Sequence, residues 1–364
     1  MVKTLQPFAE TLLVAALGGA AFQFAGFPAG WMAGSLVAVA IASLAGRDMH
    51  VPTWAARAFF IALGIIIGAV ATPETVRGMT IWPLSVVLLC IAMLAVTGAA
   101  ACYLAFVHGW DAQTALFAAV PGSLSQVSAM AAERQADLRA IVVVQTVRVI
   151  ALAVGVPLSL TLAGFDAPMQ LPGSARGFVD APGQLALLIA GSIFAALLFY
   201  RIGFTGGFFF GPMLVSAFLH GAGIVEVSLP VWVAIASMVG LGAINGSRFN
   251  QTSFRMLLDY LLASLGSLAV VVCVAGLFVL LATTLFSLRF DALVASYAPG
   301  SVDVMMILAL ALHLDPVFIG AHHLARILVL SLSLPIGARL TDQRPLQHQT
   351  LPQSLEAARE TLED

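Results

Sequence analysis

Residues 297–328 read YAPGSVDVMMILALALHLDPVFIGAHHLARIL. Proline and glycine side by side, here Pro299 and Gly300, mark a turn, and a turn ordinarily wants water. The flanks are nevertheless apolar for about a helix length on either side, with Asp303 and Arg326 embedded in them. How the chain tolerates a backbone break and two charges in so oily a segment decides its fold.

Composition narrows the answer. The chain has 364 residues, of which 60% are hydrophobic and 9% charged, and its mean hydropathy is +1.01. A soluble domain carries about 25% charged residues. Apolar runs of bilayer-crossing length, about 20 residues, recur from end to end. The reading is an all-α polytopic membrane protein whose surroundings are the lipid bilayer. A net charge of −2 leaves no basic footprint for nucleic acid. Cys90, Cys102 and Cys273 have no CxxC spacing and read as small buried hydrophobes. The N-terminus, MVKTLQPFAE, is followed by no small-residue cleavage site, so Leu12 onward reads as a retained first span.

Ten spans are expected, near 8–25, 29–46, 54–72, 82–107, 137–164, 183–201, 207–222, 230–247, 256–287 and 316–340. Two further segments, 112–134 and 292–312, are interrupted by Pro121-Gly122 and Pro299-Gly300. The two sides of a Pro/Gly/Asp-rich stretch match. Pro121, Gly122 and Ser123 recur as Pro299, Gly300 and Ser301; Asp137 recurs as Asp315 and Arg148 as Arg326, all 178 residues on. Gly64 and Gly68 fall against Gly242 and Gly246 at the same offset, and Phe27, Gly30 and Gly34 against Phe204, Gly207 and Gly211 at 177. An ordered series in constant register reads as an internal duplication. The expected organisation is a first membrane repeat 1–164, a linker 165–182, a second repeat 183–340 and a polar tail 341–364.

Loop charges give the orientation. If the interrupted segments enter and leave on one side, each half has five full spans. Lys3, Arg47, Arg57, Arg134, Arg139, Arg201, Arg248, Arg255, Arg339 and Arg344 then fall on the cytoplasmic side, with only Arg77, Arg176 and Arg289 outside. Short cytoplasmic loops carry the Lys/Arg excess, so the count favours five plus five spans, both termini cytoplasmic, and an inverted repeat. Inverted repeats with paired broken helices are the architecture of secondary transporters.

The residues around the breaks are the candidate site. A break inside lipid strands backbone groups at several kcal/mol each and survives only against protein or a watery cavity. Pro121 and Pro299 cannot donate, Gly122 and Gly300 permit unusual dihedrals, and Ser123 and Ser301 are placed as N-caps of the second half-helices. Arg148 and Arg326 lie about 15 Å into their spans, too deep to snorkel easily; they either bind an anionic substrate or satisfy stranded carbonyls. Asp303 has Ser125 as its counterpart and reads as a proton or Na⁺ carrier, or as a salt-bridge or helix-dipole partner. His323, opposite Gln145, is a proton-sensitive group or a helix-packing histidine. Asp137 and Asp315 read as N-caps, the Gly-x-x-x-Gly pairs as close helix packing, and Asn245 as a cavity or helix-bridging residue.

The segments PGSLSQVSAMAAERQADLRAIVVVQTVRV and APGSVDVMMILALALHLDPVFIGAHHLAR resemble the two signature stretches of the bacterial AbrB-type membrane protein family. The resemblance covers about residues 10–340. It implies a bacterial inner-membrane location and kinship with the cation/proton antiporter and anion transporter superfamily. The family pattern carries an acidic residue at the positions of Gln126 and Val304; this chain has none there, and Asp303 lies one position earlier.

The expected function is secondary transport of a small, anionic solute coupled to H⁺ or Na⁺, with no cofactor and no metal, and with a homodimer left open. The alternative is a membrane-embedded regulator that affects gene expression indirectly. Integral-membrane enzymology is not expected, because the seven histidines supply no HxxxH or ExxH pair.

Overall fold

A computed structural model of the chain describes residues 2–70, 82–121, 124–164, 181–204 and 206–341. Gly122 and Ser123, Arg77 and Arg176, nearly all of the expected linker and the tail beyond Thr341 lie outside the described residues.

Fourteen α-helices are present among the described residues, seven in each half. The first seven are α1 (Val2–Phe24), α2 (Gly30–Leu44), α3 (Thr53–Gly68), α4 (Trp82–His108), α5 (Ala112–Ala119), α6 (Leu124–Glu133) and α7 (Leu138–Leu162). The second seven are α8 (Pro182–Arg201), α9 (Gly207–Gly221), α10 (Val231–Gly246), α11 (Phe254–Leu285), α12 (Phe290–Tyr297), α13 (Val302–Ala311) and α14 (Pro316–Leu340). A 3₁₀ turn, Ser247–Gln251, follows α10. Six helices, α1, α4, α7, α8, α11 and α14, are long and apolar enough to cross a bilayer. Helices α2, α3, α9 and α10 have 15 or 16 residues and so reach only about 22–24 Å. The chain is an all-α, multi-pass membrane protein.

Helix lengths agree between α2 and α9 (15 residues each), α3 and α10 (16) and α7 and α14 (25). Left-handed backbone falls at corresponding places too: Ala29 (φ 54°) and Gly206 (φ 83°) are the N-caps of α2 and α9. Gln135 (φ 58°) and His313 (φ 52°) occupy matching turns before α7 and α14.

Two bundles result. Helices α1–α3 pack with α8–α10, and α4–α7 pack with α11–α14. Within the first bundle each half's third helix lies on the other half's second. A Cβ on Gly64 would stand 2.4 Å from Phe209 O, and one on Gly242 2.6 Å from Met32 O, Met32 being the counterpart of Phe209. Gly68 meets Met213 O and Gly246 meets Leu36 O in the same reciprocal way. Without side chains, these backbones approach closely enough to gain dispersion contact that lipid-facing leucines cannot supply. In the second bundle α4 packs on α11, and α7 and α14 lie against the opposite half's long helix.

Outward faces stay apolar, as a lipid solvent requires: Leu262 and Leu332 are exposed, while Leu89, Met93 and Val96 of α4 are fully buried. Cys102 and Cys273 also face outward, and Cys90 is half-buried, so the expectation of three buried cysteines fails. A membrane helix is apolar all round, so composition alone does not tell its lipid face from its core face.

The reciprocal glycines generate a stability prediction. Gly242→Val should lower the unfolding temperature markedly or abolish folding, because rigid backbone lies where the side chain would go. Gly98, in α4 with no atom within 4 Å of an added Cβ, is the control; Gly98→Ala should be neutral or raise stability by up to about 1 kcal/mol. Thermal unfolding of the detergent-purified variants reads both.

Candidate functional site

Helices α5 and α12 are half-helices of eight residues each, ending at Ala119 and Tyr297. Their last carbonyls have no partner one turn on, and lipid offers none. An arginine from the following long helix fills this gap in each half. Arg148 donates from Nη1 to Ala119 O at 2.7 Å and from Nη2 to Val120 O at 2.9 Å. Arg326 donates from Nη1 to Ala298 O and from Nη2 to Gly300 O, both at 2.9 Å. A guanidinium suits the task because its planar fork reaches two acceptors at once, and its charge opposes the negative end of the half-helix dipole. Both arginines are nearly fully buried. Of the two readings open at the sequence level, the carbonyl-satisfying one describes their geometry, although both also line the cavity described below.

The neighbouring residue in each half repeats the device. Gln145 Nε2 donates to Phe117 O at 2.8 Å, and His323 Nε2, 178 residues on, donates to Ala295 O at 3.1 Å. Because a carbonyl only accepts, Nε2 of His323 carries the hydrogen. His323 is fully buried and takes the place of an uncharged glutamine, so its geometry is that of a helix-end cap. His322 is likewise enclosed, between Phe318 O at 2.8 Å and Ser85 Oγ at 2.8 Å.

Asp137 and Asp315 act as N-caps, as expected, each accepting from two backbone N–H groups of α7 and α14. Ser301 departs from expectation. It occupies the N-cap position of α13, yet its side chain makes no capping bond; its hydroxyl donates instead to Asp303 Oδ1. Gly300 does not use left-handed backbone, and what its missing side chain provides is room beside Met305 and Leu152.

Asp303 is therefore held by its own turn on one side. On the other, Asn245 Nδ2 donates to Asp303 Oδ2 at 2.7 Å and to Leu241 O at 3.0 Å. Asn245 thus bridges α10 to α13, and its buried Oδ1 has no partner among the described residues. Arg248 lies close enough for its charge to act on Asp303. The 3₁₀ turn that carries Arg248 is pinned across the halves, since Asn250 Nδ2 donates to Asp48 Oδ1 and Met49 O, both at 2.9 Å. Asp303 thus hydrogen-bonds Ser301 and Asn245 rather than either deep arginine.

These groups converge on one cavity of about 690 Å³ between the two bundles. Pro121 and the Pro299–Asp303 segment reach it from the breaks, Arg148 and Arg326 from behind them, and Arg57 and Arg248 from the opposite bundle. Four arginines face a single aspartate among the described lining residues. The deep pair is offset by two half-helix C-termini of about −0.5 charge each, which leaves the wall cationic by roughly two charges.

Sequence reasoning counted Arg57 and Arg248 only as loop charges and missed their place on this wall. A signal was present: their counterparts in the other half are Ile235 and Val70, and that of Asn245 is Ile67. A polar residue opposite an aliphatic twin marks a position where the halves do different chemistry.

The capping geometry predicts that Arg148→Met and Arg326→Met each cost about 3 kcal/mol or more, since two charge-assisted hydrogen bonds to buried carbonyls disappear. Asp303→Asn, whose oxygen can accept from Asn245 while its amide nitrogen donates to the Ser301 hydroxyl, should cost no more than about 1 kcal/mol. Thermal unfolding in detergent orders the three.

Residues 31–342 match the family model described as "Transition state regulatory protein AbrB". "Putative regulator AbrB" of Escherichia coli (strain K12) is 23% identical over 326 residues, covering 86% of this chain and 90% of that one. "Uncharacterized protein YhjN" of Bacillus subtilis (strain 168) is 24% identical over 246 residues, 63% of this chain and 64% of its own. No solved structure matches. With a family match that takes in both broken helices, both capping arginines and the cavity between them, the chain belongs to the AbrB family of multi-pass membrane proteins.

Proposed function

We propose that the chain is a secondary transporter of a small anionic solute, coupled to H⁺ or Na⁺ through Asp303. The observation that carries this reading is the convergence of both helix breaks on one cationic cavity between two bundles. A break in a membrane helix is costly unless it faces protein or a watery cavity, and here the second break brings a carboxylate to that cavity. Among the described residues Asp303 is bonded only through neutral donors, Ser301 and Asn245, so gaining a proton or a cation breaks no ion-pair hydrogen bond there. Alternating access follows if the broken-helix bundle rocks against the Gly-packed one about the pseudo-symmetric seam. In this reading the halves are inverted in a bacterial inner membrane with both termini cytoplasmic.

The Escherichia coli relative's name favours a second reading, a membrane-embedded regulator. Such a protein would have to signal through a polar segment, and the tail beyond Thr341 is the longest one. Deleting that tail should leave transport intact, whereas a regulator signalling through it would lose its effect on expression.

Proteoliposomes test the leading reading. Wild-type protein should show solute uptake driven by an imposed H⁺ or Na⁺ gradient. Asp303→Asn should lose gradient-driven uptake while retaining solute exchange. Undiminished gradient-driven uptake by Asp303→Asn would remove Asp303 from the coupling role.

A further inference from the structure

We propose that the cavity takes an organic monocarboxylate with a flat apolar body, its carboxylate held by Arg57 and its body laid against a wall of phenylalanines. The proposal rests on the anion reading above and names the class of anion.

Donor accounting singles out Arg57. The Nη groups of Arg148 and Arg326 are committed to backbone carbonyls, which leaves only the single buried Nε of each without a partner among the described residues and no free fork. Arg248 lies within electrostatic reach of Asp303. Arg57 contacts rings instead of acceptors: its guanidinium carbon stands 5.0 Å from the Tyr200 ring centroid and 4.8 Å from that of Phe208. No acceptor or carboxylate among the described residues pairs with it. Rings against a guanidinium hold its orientation and restrict its hydration while leaving the edge N–H groups available. A fork held in this way matches a carboxylate, which it can bind through two parallel N–H···O bonds.

The remaining wall sets the rest of the ligand. Phe60, Phe204 and Phe208 line the cavity beside Arg57 with half-buried rings, and Phe209 and Phe210, which also border it, are almost fully buried. Such surface gains by covering an apolar body and offers nothing to a hydrated polyanion. Charge complementarity points the same way. The wall carries roughly two net positive charges among the described lining residues, and Arg57 is the arginine whose fork faces neither a helix-end carbonyl nor Asp303, so a single carboxylate held there is drawn by the whole wall. At about 690 Å³ the space lies within the usual range for small-molecule sites.

The test measures binding to the purified full chain in nanodiscs, with empty nanodiscs subtracting lipid partitioning. The probes are acetate, benzoate, indole-3-acetate, inorganic phosphate and citrate at fixed ionic strength. Affinity should rise from acetate through benzoate to indole-3-acetate, by at least about tenfold overall, as buried apolar area grows. Arg57→Gln should weaken indole-3-acetate binding by about tenfold or more with its unfolding temperature unchanged. Arg57→Lys, which keeps the charge and loses the fork, should fall between, and serves if the glutamine variant misfolds.

Phosphate or citrate binding more tightly than every monocarboxylate would overturn the proposal, as would wild-type affinity in both Arg57 variants. Either result leaves anion transport standing if the preferred anion is still taken up by proteoliposomes. No binding of any probe, together with no gradient-driven uptake, would remove both readings.

Discussion

Everything at the centre of this protein depends on how it satisfies the carbonyl ends of two short helices that stop inside its core. Helices α5 and α12 leave carbonyls that cannot turn to water, and Arg148 and Arg326 supply the missing donors. Gln145 and His323 complete the caps one turn earlier. Burying an arginine in the bilayer core is itself unfavourable. Pairing that cost with a helix end that needs both hydrogen bonds and positive charge makes each tolerable. The breaks persist because the cations are there, and the cations persist because of the breaks.

The shared caps make the differences between halves informative. Where the first half has Ser125, Ile67 and Val70, the second has Asp303, Asn245 and Arg248. Three polar replacements in one half lie near one another, linked by a hydrogen bond between Asn245 and Asp303 and by charge between Arg248 and Asp303. Arg57 is the converse case, unique to the first half and lodged against Tyr200 and Phe208 from the second. A fold built of matching parts thereby encloses a cavity that is chemically one-sided. A binding device and a coupling device can both face it without being copies of each other.

The reciprocal glycine contacts explain how such parts hold together where no hydrophobic drive operates between helices. Gly64 and Gly68 take the backbone of α9 while Gly242 and Gly246 take that of α2. Close approach is used twice, each half lending the other the surface it lacks.

Much of this was legible in the chain alone. Hydropathy marked the helices because a bilayer imposes length and apolarity on every span. Constant offsets marked the paired arginines and the paired glycines, which make equivalent contacts in the two halves. Those constraints are local or periodic, and a linear sequence records them directly. The tertiary structure decided what distances between helices decide. It turned the deep arginines toward carbonyls and gave the Ser301 hydroxyl to Asp303 instead of a helix end. It also carried Arg57 and Arg248 from apparent loop positions to the wall of a shared cavity. No spacing rule could place those two, because the neighbours of Arg57 lie on α8 and α9 of the other half and the Asp303 that faces Arg248 lies on α13 of the other bundle, and only tertiary packing brings these elements together.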